Sequence, residues 1–210
     1  MGEEIPEVVP VFPLPGLVLL PGQRLPLHIF EPRYRAMVRD VLDASGWMAV
    51  ACIEDPDAED PPAFSSLATV GRVVAQQRLP DGRFNILVEG LRRARLGEVP
   101  ASTPYRAARV TPLRALSDDA VPAAEVAALI DVSSRVTRVA VARDAAVELR
   151  VPDALTPVDR AMRLVDRFVA DPADRLAVLR CERGVDVVRA ALAALVSLLR
   201  DLDQGNVGRA

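Results

Sequence analysis

The chain has 210 residues and a formal charge of -3; half of its residues are hydrophobic and 26 % are charged, which places it among folded globular proteins and excludes collagen-like and disordered classes. All 26 basic residues are arginine, so there is no lysine for a phosphate loop, a Schiff base or a Ser-Lys dyad. The one histidine, His28, excludes clustered-histidine metal sites and leaves a Ser-His-Asp triad a single possible base.

Charge is spread evenly, with 13 Arg against 14 acids up to residue 115 and 13 against 15 beyond it, so neither half is a polycation. Cys52 and Cys181 stand far apart in apolar surroundings and read as reduced, buried thiols. No apolar run approaches the ~18 residues of a membrane span. Glu3 and Glu4 occupy the place where a secretory signal carries basic residues. The expectation is a cytoplasmic protein with no membrane contact and no cofactor or metal.

Fifteen of the 18 prolines and seven of the eight aromatics precede residue 123, which divides the chain into a turn-rich front and a helical back. Short extended stretches are expected at Val8 to Phe12, Leu17 to Leu20, Met48 to Ile53, Thr69 to Leu79, Phe84 to Gly90, Ala94 to Val99 and Tyr105 to Thr111, a rhythm that suits a small barrel or sandwich. Between them, Arg33 to Ala44 carries Tyr34, Met37, Val38, Val41 and Leu42 at helical spacing, with Glu31 and Pro32 as N-cap and first-turn residue. Pro80-Asp81-Gly82-Arg83 joins two strands as a hairpin.

Past Ser117 the apolar period lengthens to that of a helix. Thr156-Pro157-Val158-Asp159 and Asp171-Pro172-Ala173-Asp174 share one pattern of capping side chain, proline at the first helical position and an acid at the third. A last helix from about Val185 presents Val188, Leu192, Leu195, Leu199 and Leu202 as an apolar stripe, and residues 204–210 read as a flexible tail. The fold class expected is α+β, with a β unit over residues 8–116 and a helical unit over 117–203.

Pro10 to Pro15, Pro21-Gly22 and Leu25 to Arg35 form the most informative stretch, and it resembles the start of the N-terminal, substrate-recognition domain of ATP-dependent Lon proteases. The resemblance continues through Val70 to Val73, Pro80 to Arg83, Gly90 to Arg95 and Tyr105 to Val110. It implies a PUA-like β pseudo-barrel with one helix, followed by a C-terminal helical bundle. It also implies recognition of client polypeptides, in company with a protease or chaperone. The chain stops before any ATPase or protease module, so the expectation is a stand-alone, non-enzymatic, ATP-independent substrate-binding-domain protein.

Within these motifs Pro13, Pro21, Gly22, Glu31, Pro32, Arg33, Asp81, Gly82 and Gly90 read as architectural: prolines fix strand entry, glycines permit turns, and Glu31 caps the helix or pairs with Arg33 or Arg35. Phe30, Tyr34, Arg92 and Arg93 are the candidate ligand contacts, being aromatic or bidentate groups inside the matched motifs. The expected site is an apolar groove where barrel and bundle meet.

His28 lies between Leu27 and Ile29, so strand alternation turns it away from them, and no motif supplies a nucleophile for it. The acids from Glu54 to Asp60 lack the glycine and terminal glutamate of a calcium loop and read as a solvated loop. Nine arginines between Arg72 and Arg114, opposed by Asp81, Glu89 and Glu98, raise RNA binding as an alternative if Arg92, Arg106 and Arg109 share a face.

Overall fold

A computed structural model describes residues 4–58, 61–118, 120–142 and 154–203. The tail expected at 204–210 lies outside the described residues. The chain forms two compact units, Met1–Ala115 and Leu116–Ala210.

The first unit contains six strands, β1 (Val8–Pro15), β2 (Arg24–Ile29), β3 (Trp47–Ile53), β4 (Leu67–Arg78), β5 (Phe84–Val99) and β6 (Ala107–Pro112), and one helix, α1 (Pro32–Asp43). The sheet order is β2-β5-β4-β3-β1-β6, and β5 pairs with β6 as well. That additional pairing closes β5, β4, β3, β1 and β6 into a circuit, with β2 laid along β5 outside it. β1 and β3 are parallel, and the other pairs are antiparallel.

Alternation along the strands splits the apolar residues into two cores. Val9, Val11, Trp47, Ala49, Ala51, Ala68, Val70, Ala94, Leu96, Ala108 and Val110 pack together, and all five strands of the circuit contribute, so this core is its interior. The many alanines suit that narrow space. On the other face Phe12, Met48, Val50, Phe84, Ile86 and Val88 meet Tyr34, Met37, Val38 and Val41 of α1, together with Ile29 of β2. Every residue of β3 is buried because both of its faces are covered.

Leu17 to Leu20 is not a strand. Its backbone groups are satisfied elsewhere: Thr69 Oγ1 donates to the Leu19 carbonyl at 2.6 Å, and the Leu20 amide donates to Gln23 Oε1 at 2.5 Å. The chain then turns at Leu20-Pro21-Gly22-Gln23, where the Gln23 amide reaches the Leu20 carbonyl at 3.2 Å and Gly22 adopts φ +80°. Proline second and a left-handed glycine third make this a type II turn. The strand lies further on, at β2. Phe84 to Gly90 and Ala94 to Val99 are likewise one sixteen-residue strand, β5, which carries a register shift opposite Val70 and Gly71.

The second unit contains α2 (Ala123–Ala142), α3 (Pro157–Phe168), α4 (Pro172–Arg180) and α5 (Gly184–Asp203). Both expected caps are present, since Thr156 accepts from the Asp159 amide and Asp171 from the Ala173 amide. Asp118 Oδ1 adds a second acceptor at the start of α3, taking the Val158 amide at 2.8 Å. α2, α3 and α4 all pack on α5, whose Val187, Val188, Ala191 and Leu195 are fully buried. Both cysteines are free thiols, Cys52 buried and Cys181 only half-buried. Among the described residues no helix is long and apolar enough to cross a membrane.

Candidate functional site

The motif stretch converges on one end of α1 and on the hairpin that joins β4 to β5. Pro32 stands at the first helical position, where a missing N–H costs nothing. Glu31 occupies the N-cap position, but its side chain caps no amide. Instead its Oε2 accepts from Arg33, at 3.0 Å from Nε and 2.9 Å from Nη2. The Arg33 guanidinium lies 4.5 Å from the centroid of the Tyr34 ring. Tyr34 itself packs edge-on against Phe12, with centroids 4.5 Å apart, and burial raises its hydroxyl pKa against the opposing charge of Arg33.

The hairpin turn is held by the Gly82 amide on the Leu79 carbonyl (2.9 Å), by Gly82 at φ +81°, and by Asp81, which accepts the Arg83 amide at 3.1 Å and its Nε at 2.6 Å. These bonds from Arg83 hold the Asp81 carboxyl below its ordinary pKa. Arg83 also lies 3.1 Å from His28 Nε2, and His28 Nδ1 is 2.7 Å from Asn85 Oδ1. Asn85 Nδ2 donates in turn to Gln77 Oε1 at 3.2 Å. His28 thus bridges Asn85 and Arg83 in an exposed network.

Phe30 rises beside this network. Its ring stacks on His28 at 6.3 Å and 25°, and 61 % of the residue is exposed. Of the four candidate contacts, Phe30 and Arg92 are exposed, whereas Tyr34 (8 %) and Arg93 (7 %) are buried. The structure therefore does not offer Tyr34 or Arg93 to a ligand: the first is a core ring, and the second donates to the Arg114 carbonyl at 3.4 Å. Phe30 and Arg92 are not brought together either. Phe30 follows the β2 residue that pairs with Phe84, and Arg92 sits eight positions further along β5.

Arg92 lines a different feature, a cleft of about 880 Å³ within the first unit. Ile5, Trp47, Leu91 and Pro112 supply its apolar wall, and Arg72 and Arg92 supply positive charge. Trp47 and Arg72 are directly opposed on β3 and β4, with the guanidinium 5.8 Å from the indole centroid. The buried Trp47 Nε1 has no hydrogen-bond partner among the described residues. Of its lining only Arg92 was a candidate contact in the sequence, because residues 5, 47, 72, 91 and 112 meet only through strand register.

Part of the arginine-rich segment is ion-paired within the unit. Arg106 binds Glu98 through two 2.6 Å bonds, which lower the Glu98 pKa, and its guanidinium covers the Phe64 ring at 4.3 Å. Arg109 pairs with Glu7. Two of the three arginines on which an RNA-binding face depended are thus ion-paired within the unit.

A closed strand circuit carrying α1 outside it, followed by four helices among the described residues, defines an α+β protein with the fold of Lon N-terminal domains. A Lon N-terminal domain protein from Xanthomonas campestris superposes with a TM-score of 0.66 at 22 % identity, covering 89 % of this chain and 97 % of that one. The N-terminal domain of a Mycobacterium avium complex Lon protease gives 0.68 at 18 % identity, covering 92 % and 98 %. The family model for the ATP-dependent protease La (LON) substrate-binding domain matches residues 8–183, and the chain belongs to that family. A Lon protease from Roseiflexus castenholzii is 35 % identical over 127 residues, which is 60 % of this chain but 16 % of that protein; one from Parabacteroides distasonis is 28 % identical over 120 residues, 56 % and 14 %. The chain thus spans about one seventh of the length of these relatives.

Proposed function

We propose that this protein is a non-catalytic, cytoplasmic substrate-recognition module that binds exposed hydrophobic segments of client polypeptides for a partner protease or chaperone. Family membership supports substrate recognition. The observation that carries the location is Phe30, a large aromatic left 61 % exposed beside His28, which is itself bridged to Asn85 and Arg83. A client side chain that covers this ring removes apolar surface from water, and that burial supplies affinity. The closed circuit with α1 is read as the PUA-like pseudo-barrel, and the four helices as the bundle, dividing near residue 116. Pro13, Pro21, Gly22, Glu31, Pro32, Arg33, Asp81, Gly82 and Gly90 are read as the frame that sets Phe30 in place.

Anisotropy of a labelled unfolded polypeptide, titrated with wild type and with Phe30→Ala at low and moderate salt, tests this reading. Wild-type binding is expected to persist as salt rises, because apolar burial is not screened. Phe30→Ala is expected to weaken it with unchanged thermal stability. Binding that Phe30→Ala leaves intact overturns the assigned surface, and a labelled RNA bound more tightly than polypeptide, with a steep loss in salt, overturns the function.

A further inference from the structure

We propose that the free edge of β2 takes an extended segment of a client polypeptide as an added strand, hydrogen-bonded to β2 along its backbone, with alternate side chains covering Pro26 and Phe30 on one face and Leu25 and Leu27 on the other. This rests on the reading of the protein as a polypeptide binder and adds the conformation in which the client is held.

Among the described residues β2 pairs with β5 alone, so one edge of the strand has no neighbour. Which groups point that way follows from one bond. The Gly90 amide donates to the Gln23 carbonyl at 2.8 Å, so that carbonyl faces β5 and, across a trans peptide, the Arg24 amide faces away from it. Alternation along the strand then turns outward the carbonyls of Arg24, Pro26 and His28 and the amides of Arg24 and His28, while Pro26 has no amide to offer. Among the described residues nothing bonds to these groups.

Burial along β2 reports the same edge. Ile29 is buried, yet Leu25 and Leu27, which pack against the same core, stay half-buried, and Arg24, Pro26 and His28 are exposed. Pro26 stands opposite Leu87, itself half-buried, and alternation sets Phe30 on the face of Pro26 and His28. An extended chain laid along this edge finds backbone partners at the strand period and apolar side chains on both faces.

A second copy of β2 fits less well. Two-fold antiparallel pairing that keeps the outward residues in register sets each Pro26 against the other, where two carbonyls lose their donors, and brings Arg24 against His28. A foreign segment leaves one carbonyl unmatched. Beyond Arg72, β4 is also free of β3, but its edge carries a register shift between Val73 and Ala75 and the exposed polar run Gln76-Gln77-Arg78, both of which discourage strand addition.

Anisotropy of fluorescein-labelled Gly-Val-Thr-Val-Thr-Val-Thr-Gly with the full chain tests the proposal. Pro26→Ala supplies the missing outward amide and is expected to bind about fivefold more tightly than wild type, the gain from one hydrogen bond, which loss of fold cannot imitate. Arg24→Pro removes an outward amide and is expected to bind about fivefold more weakly than Arg24→Ala, which loses the same side chain but keeps that amide. Should Arg24→Pro melt below Arg24→Ala, the Pro26→Ala gain decides alone. Equal affinities within each pair, or a wild type that binds unfolded polypeptide but not this peptide, overturn the edge and leave the polypeptide-binding function standing. A wild type that binds neither overturns both. A wild-type dimer in sedimentation velocity that Arg24→Pro dissociates and Arg24→Ala does not assigns the edge to a second copy and overturns the client assignment.

Discussion

Gly22 and Gly90 lie against each other: the Gly22 amide donates to the Gly90 carbonyl at 2.8 Å, and the Gly90 amide returns a bond of 2.8 Å to the neighbouring Gln23 carbonyl. The two glycines serve different needs. Gly90 lacks a side chain because a Cβ there would collide with the Leu20 carbonyl and crowd Thr69 and Leu19, whereas Gly22 has open space but a left-handed backbone. Gly90→Ala is therefore expected to destabilise by about 2 kcal/mol or more, and Gly22→Ala by about 1 kcal/mol, the cost of placing an L-residue at positive φ. Chemical denaturation of the two variants measures the difference, and the reverse order contradicts the docking of the Leu17–Gln23 segment on β5.

Tyr34 and Phe30 separate stability from binding. Tyr34→Ala empties a core position beside Phe12 and is expected to cost about 3 kcal/mol. Phe30→Ala removes an exposed ring and is expected to stay within about 0.5 kcal/mol of wild type. Paired thermal melts distinguish them.

Tyr105 donates to Asp40 Oδ2 at 2.6 Å, tying the approach to β6 onto α1. Burial first, and the Asp40 contact second, push its pKa from 10.0 up to about 12. The folded protein thus holds this proton more tightly than the unfolded chain does. The resulting stabilisation is complete below pH 10 and is lost as pH climbs through 12. Having no lysine, the chain has few competing titrations in that window. Tyr105→Phe is expected to flatten the alkaline fall in stability between pH 10 and 12, measured by urea midpoints. An unchanged slope refutes the assignment. Tyr34, whose pKa is also raised by burial, contributes to the slope that remains.

In the second unit, Thr156→Ala and Asp171→Ala each free one helix-initiating amide. A loss of about 1 kcal/mol is expected from each. Thr156→Ala is expected to be the milder change, because Asp118 still accepts the Val158 amide in the same helical turn. Single and double variants with Asp118→Ala check this through non-additivity.

Local chemistry was legible in the sequence wherever it acts within one turn of chain. Pro32 opening α1, the Thr156 and Asp171 caps, and the Asp81-Gly82 hairpin all depend on neighbours a few residues away. Long-range choices were not. Leu17 to Leu20 has the apolar content of a strand, yet its carbonyl and amide partners are Thr69 and Gln23. β2 was missing from the expected strands, although alternation around His28 already hinted at it, because Pro26 interrupts its pattern, which an outer strand pairing on one side only tolerates. α2 escaped notice as a separate element because its start carries no capping side chain comparable to Thr156. The Phe30 surface came from a motif, but Tyr34 in the same motif turned inward at helical spacing. The Trp47 cleft was legible only in Arg92, because its walls come from β3, β4, β5 and the two ends of the unit.

The closure of the strand circuit orders the birth of this protein on the ribosome. β1 emerges first, yet Val8 to Pro10 pair with Ala107 to Arg109, at the far end of the same unit. Until β6 has left the exit tunnel, β1 lacks one neighbour and the alanine-lined interior stays open to water. A unit built this way stays an incomplete sheet from the synthesis of Val8 until that of Arg109, the very state that quality-control machinery exists to find.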